Sequence, residues 1–530
     1  MRPRLLAAIV ALTTAAPVGL RLTSGSAATP AAGAAECHAG WPVTAHHAGG
    51  QRVTASGLPV ACAVPTGYAT SETSVAVSND GALFFSPAQT ENTMARSADG
   101  GTTWGLSRPP VEQLTALWNT VDPVTVVDRS TGRIFWVHAT GGTRTTPILV
   151  SMSPLPPPIP MIIAYAYGFQ VYSTGDDGRT WTTADYTTAP TGDWEKIAVG
   201  RPSAAGPQPA GYPNVVYVCA NSPFEVSGPG RICYRSLDGG ASFAIAGYVL
   251  SPQATSVCPP LDSNTQVIGP DGTLYIPMSC VNGAYVAVSK DEGATYTWYP
   301  VPGAPSASSV TGTGLLQLAI DDAGTLYGTW GVNDTLQLAV SRDQGVTWGA
   351  PVNPAAPAVH GIALPAIAAG PAGHVALTYY ANPDASATTL DGYITQTDEA
   401  SAANPLFVSG MVNDPAHPIY VPSGLAGGTP RADYIGGGFD VRGQFWAGMV
   451  RTLGVAPASN ADVPTTGYVA RLVPASAAAA AAGSAGGSQA GGLSNTAAST
   501  LGAGGSALGL MGAAGLMALG RRRRGLEHPS

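Results

Sequence analysis

Short apolar runs in this 530-residue chain are repeatedly preceded by polar or charged residues, and chemistry could sit where the two meet. Carboxylates stand at Glu72, Asp122, Glu195 and Asp433, with Tyr434 directly after the last. Two carboxylates flanking one glycosidic bond can share the acid and base or nucleophile roles of hydrolysis, and a tyrosine beside a carboxylate can be activated as a nucleophile. Lys196, Arg201, Asn264, Gln317, His360 and Arg431 occupy comparable positions and offer donors and positive charge for binding. The histidines show no ligand spacing, and His46-His47 is expected to be exposed rather than metallated. No metal or cofactor is called for, although a structural cation such as calcium among these carboxylates stays open.

The elements that would position these residues are announced by a repeated octapeptide. Ser341-Arg342-Asp343-Gln344-Gly345-Val346-Thr347-Trp348 has the pattern S-x-D-x-G-x-T-aromatic, and four more copies begin at Ser97, Thr174, Ser236 and Ser289. Each follows a β-type run such as Tyr285-Val286-Ala287-Val288, which places it on the turn of a hairpin. Ser and Asp can satisfy turn backbone groups, Gly permits a positive φ, and the Thr and aromatic residue begin the returning strand. The tryptophan is expected to anchor neighbouring sheets, burial of an indole contributing roughly 2–3 kcal/mol. Asp99, Asp176, Asp238, Asp291 and Asp343 are therefore read as structural rather than catalytic.

This pattern resembles the Asp-box, or bacterial neuraminidase repeat, of the sialidase-like β-propellers. The resemblance implies an all-β propeller with its boxes on the rim, away from the ligand face. Around each box the chain keeps one grammar: a buried strand, a Gly turn, a second apolar strand, a variable loop and the hairpin. Two further units, at Ala366 to Ile394 and Tyr434 to Val469, keep the front half without the box. Four-stranded antiparallel units of this kind bury both faces only against neighbours, so a seven-bladed ring is expected, with six blades as the alternative. The innermost strands of a propeller surround a channel, and the polar residues named above fall at the starts of those strands, where they would ring one mouth. A mouth-bound cation would sit there too.

Sialidase chemistry needs three arginines, an acid Asp and a Tyr–Glu pair, and the family's Arg-Ile-Pro motif should precede the first box. Here Gly67-Tyr68-Ala69-Thr70 stands in its place, and an acidic mouth would repel a carboxylate sugar. The leading expectation is thus a binding propeller for an extracellular glycan or protein, with an exo-acting, sialidase-like glycosidase as the alternative.

Composition agrees with an exported all-β protein. Charged residues make up 11%, there are 67 Gly and 46 Pro, and a net charge of −8 argues against nucleic-acid binding. Residues 1–35 read as a signal peptide and processing region, residues 36–66 as an irregular arm, and 67–474 as the propeller. An Ala/Gly/Ser-rich stalk over 475–500 leads to an apolar anchor over 501–524, closed by Arg521 to Arg524, with the tail running to 530. The anchor also resembles a sortase sorting signal, but Leu493-Ser494-Asn495-Thr496-Ala497 lacks the Pro and Gly of that motif. The protein is expected to be a monomer held at the cell envelope through this segment, by membrane retention or wall attachment. Six cysteines suit three disulfides, with Cys219–Cys233 across one hairpin and Cys258–Cys280 and Cys37–Cys62 following.

Overall fold

A computed structural model of the chain describes residues 36–70, 73–86, 94–107, 121–141, 167–184, 193–222, 230–250, 258, 266–306, 315–332, 334–420, 434–452 and 465–476. The N-terminal 35 residues, the stalk beyond residue 476 and the anchor lie outside them. The fold is a seven-bladed β-propeller with four-stranded antiparallel blades and almost no helix. The innermost strands, blade by blade, are Val75–Val77, Val121–Val127, Asp193–Gly200, Val267–Ile268, Gln317–Ile320, His360–Ala369 and Gly436–Phe439. Each lies against the next, and the seventh lies against the first, so the ring closes.

Seven apolar clusters account for the closure, one in each seam between consecutive blades. Between blades seven and one, Trp446 and Val469 meet Val75, Phe85 and Trp104. Between blades one and two, Phe84 and Met94 meet Trp136 and Trp181. Burial of both sheet faces removes the cost that an isolated four-stranded sheet would leave exposed.

The five octapeptides form one repeated turn on the far face of the ring. In the first copy Ser97 Oγ donates to Asp99 Oδ1 at 2.8 Å and accepts from Gly101 N at 2.8 Å. Asp99 accepts from Thr103 N at 2.8 Å and from Thr103 Oγ1 at 2.6 Å. The other four repeat the pattern, which leaves these carboxylates occupied within their own turns. In blade two the Thr180 hydroxyl and amide hold the Asp176 carboxyl down to about 2. Trp181 is 8% exposed and its Nε1 donates at 2.8 Å to Ser107 Oγ of blade one, the anchoring role expected of it. Gly178 in that turn has φ 75°, and a Cβ there would lie 2.7 Å from Ser107 Oγ and 3.0 Å from the Phe84 ring.

The N-terminal arm departs from expectation, because it is strand rather than irregular chain. Val60–Ala69 is the fourth strand of blade seven, paired with Thr465–Val473 and flanked outside by Glu36–His38, and Val43–His47 extends blade six beside Leu406–Met411. Pro65 and Gly67 disguised this strand in the sequence. Pro65 pairs with Tyr468 on one side and lies beyond Glu36–His38 on the other, so its missing N–H costs no ladder bond on that outer side. Blade seven thus takes its fourth strand from the far end of the chain, which explains why the last unit needs no octapeptide hairpin. His46, expected to be exposed, is buried instead, with Nε2 2.8 Å from Ser409 Oγ and its ring stacked on Phe407.

All three disulfides have the expected partners: Cys37–Cys62, Cys219–Cys233 and Cys258–Cys280. Cys219 and Cys233 face each other in register across one hairpin of blade three. Such crosslinks belong to a protein that folds in an oxidising, extracellular-type compartment.

Candidate functional site

The seven innermost strands enclose a central channel of about 310 Å³, with Val75, Val126, Ile197, Val267, Leu318 and Ile367 among its lining residues. Their inward edges have no neighbouring strand, so the channel wall mixes branched aliphatic side chains with backbone edge groups. The strand starts gather at one end of the channel, the mouth, and the octapeptide turns lie at the other.

At the mouth, residues from several blades meet. Lys196 of blade three, 2% exposed, holds its Nζ 4.5 Å over the ring of Tyr434 of blade seven. The Tyr434 hydroxyl donates at 2.9 Å to Pro123 O of blade two, which also accepts at 3.3 Å from Ser74 Oγ of blade one. Gln266 of blade four donates through Nε2 to Lys196 O at 2.5 Å. Lys196 Nζ also lies 3.3 Å from Glu195 O, and Glu195 is only 1% exposed. Glu195 and Lys196 are consecutive, and a regular strand would send them to opposite faces. The register shift between Asp193 and Lys196 interrupts that alternation where the two charged side chains stand.

A second cluster lies on the same face between blades five and six. His360 Nδ1 is 3.3 Å from Asp334 Oδ2, and Asp334 Oδ1 accepts from Gly361 N. His360 and Asp334 are 43% and 49% exposed, so this pair is open to solvent while the Lys196–Tyr434 layer is covered. Asp391 of blade six, at the mouth-side end of its strand, is buried and accepts from Asn413 Nδ2 at 2.8 Å; burial raises its carboxyl above the usual range. Sequence reasoning passed over Asp391, although a carboxylate directly ahead of Gly392-Tyr393-Ile394 carried the same signal as the positions it selected.

Of the residues singled out from the sequence, the structure brings together Glu195, Lys196 and Tyr434, with His360 on the neighbouring rim. Gln317 opens the innermost strand of blade five, half-buried and in register with Thr329. Arg201 is not brought to this place. It follows the last residue of Asp193–Gly200, which puts it a strand's length from Lys196 and exposed on the far face. Asp122 lies on the strand Val121–Val127. Glu72, Asn264, Arg431 and Asp433 lie outside the described residues. Of the four carboxylates considered for acid–base work, only the Glu195 side chain is therefore in view. Among the described residues no three His, Cys, Asp or Glu side chains are grouped to hold a metal ion.

No family model matches this sequence. No curated protein matches it either. Solved structures that resemble it include the Hadza microbial sialidase Hz136, at 16% identity and a TM-score of 0.37, covering 76% of this chain. The chain spans 65% of the length of that sialidase. An α-L-arabinofuranosidase, arb93a, of Fusarium graminearum is 14% identical with a TM-score of 0.41, over 68% of this chain and 95% of that one. The polysaccharide lyase Uly1 is 9% identical with a TM-score of 0.41, over 76% of this chain and 90% of that one. Likenesses this distant bear on neither activity nor ligand.

Proposed function

We infer that this is an extracellular binding propeller that takes a glycan or protein ligand at the mouth of its hub, and that its C-terminal segment holds it at the cell envelope. The observation that carries the reading is the meeting of Glu195, Lys196, Gln266 and Tyr434, from three blades, where all the sheets converge. For a ring held by apolar seams, charge at the hub is an expensive source of stability, since desolvating an ammonium or carboxylate costs several kcal/mol before any partner repays it. Charge maintained at that place points to recognition. The open His360–Asp334 pair supplies an accessible donor and acceptor on the same face. Three disulfides, together with the signal-like residues 1–35 and the apolar run before Arg521 to Arg524, support export and retention.

The test is a glycan array and a panel of extracellular proteins probed with the purified protein. Saturable binding that weakens at least tenfold in His360→Ala, with unchanged thermal unfolding, is expected. Binding that ignores His360→Ala and Lys196→Met alike would remove the mouth from consideration. Turnover of chromogenic glycosides, sialosides included, that disappears in Glu195→Gln would replace binding by hydrolysis.

A further inference from the structure

The opposite end of the channel holds an arginine and a carboxylate, Arg129 and Asp322, that the mouth does not use. Arg129 follows the innermost strand of blade two and reaches across the axis of the ring. Among the described residues its guanidinium makes one hydrogen bond, from Nη2 to Phe439 O of blade seven at 3.3 Å. Its one ion pair among those residues is long, 4.0 Å to Asp322 of blade five. Five N–H donors are thus mostly uncommitted at a channel end where the arginine side chain is 37% exposed and Asp322 is 69% exposed. At the inner end of the same cavity sits Gln266, 1% exposed, whose Nε2 is bonded and whose Oε1 has no partner among the described residues.

A buried amide oxygen left unmatched is costly, and a channel of about 310 Å³ has room for a guest that would meet it. From the first to the third lining residue each strand rises about 7 Å, which suits a chain of about six carbons. The walls between the two polar ends are mainly Val, Ile, Leu and Ala residues, with Thr125 the one hydroxyl among them. We propose that the channel binds a small aliphatic hydroxycarboxylate from the far face, with its carboxylate paired to Arg129 and its hydroxyl donating to Gln266 Oε1. Arg129 offers the planar fork that matches a carboxylate, and Asp322, loosely held and exposed, is the group the guest displaces.

Isothermal titration of the purified full chain with 6-hydroxyhexanoate, hexanoate and 1,6-hexanediol at constant ionic strength tests this. The expected order is hydroxyhexanoate tightest, hexanoate several-fold weaker, and the diol at least tenfold weaker. Arg129→Gln should lower affinity for both carboxylates at least tenfold, and Gln266→Leu should abolish the preference for the hydroxylated one. Asp322→Asn, at an exposed position that folding tolerates, should tighten carboxylate binding several-fold by removing the competing charge. Absence of saturable binding, equal affinity for the diol, or an unchanged affinity in Asp322→Asn would each overturn the proposal.

Discussion

The cation–ring contact at the hub can be isolated by a double-mutant cycle of Lys196→Met and Tyr434→Leu. Lys196 Nζ stands 4.5 Å from the Tyr434 ring centroid, and both residues are nearly shut off from water, at 2% and 8% exposure. A desolvated contact of this kind contributes about 2 kcal/mol or more, against about 0.5–1 kcal/mol at a wet surface. Tyr434→Leu also removes the hydrogen bond to Pro123 O, about 1 kcal/mol, although Ser74 Oγ continues to donate to that carbonyl. Methionine keeps most of the lysine stem and its packing, so the first leg removes mainly charge. Contacts that Lys196 makes with other groups are common to both legs and cancel. The coupling energy is therefore expected near 2 kcal/mol, read from urea unfolding of the four proteins followed by tryptophan fluorescence. Tyr434→Phe serves as the control: it keeps the ring, should cost about 1 kcal/mol, and should show almost no coupling to Lys196→Met. A coupling below about 0.5 kcal/mol is indistinguishable from additivity and would refute the claim that the hub spends a buried cation on this ring.

Two further outcomes follow from the turns and crosslinks. Asp176 has its carboxyl depressed to about 2 from an unperturbed 3.8, so its contribution to stability is complete above about 4 and is lost as the pH falls through that window; Thr180→Val should raise the Asp176 titration seen by NMR and move acid unfolding to higher pH. Replacing Cys219 and Cys233 together by Ser opens a loop of 14 residues, worth about 3 kcal/mol, which in a ring of about 400 residues lowers Tm by only a few degrees in calorimetry; no change would mean the hairpin is held entirely by its ladder.

The architecture was legible because its signals are local. An octapeptide such as Ser97 to Trp104 closes its hydrogen bonds within eight residues, so its Ser, Asp, Gly and Thr each declare a role that needs no distant partner. The Cys219–Cys233 pairing was legible for the same reason, as two cysteines at the facing ends of one hairpin. What escaped were contacts whose sequence separation is nearly the whole chain. Val60–Ala69 pairs with Thr465–Val473 across some 400 residues, and nothing near Pro65 announces its partner. Tyr434 and Pro123 meet only because the ring closes, and Arg129 touches Phe439 for the same reason.

That division has a physical consequence for how a propeller acquires function. The seams and turns are fixed by near-neighbour packing, so every blade but the seventh can form its own sheet without reference to the hub or to the far end of the chain. Among the described residues, the hub is the region where a side chain reaches non-adjacent blades: Lys196 of blade three against Tyr434 of blade seven at the mouth, and Arg129 of blade two against blades five and seven at the far end. A substitution in a seam perturbs two blades, whereas one at either end of the channel is felt across the ring. Buried charge in the seams, as at Asp128, Glu292 and Asp321, is matched by hydrogen bonds between adjacent blades, whereas the charged residues at the two channel ends reach non-adjacent ones. Their placement is therefore the feature of this chain least explained by folding alone, which is why the mouth and the far end of the channel, rather than the five aspartate turns, are where ligands should be sought.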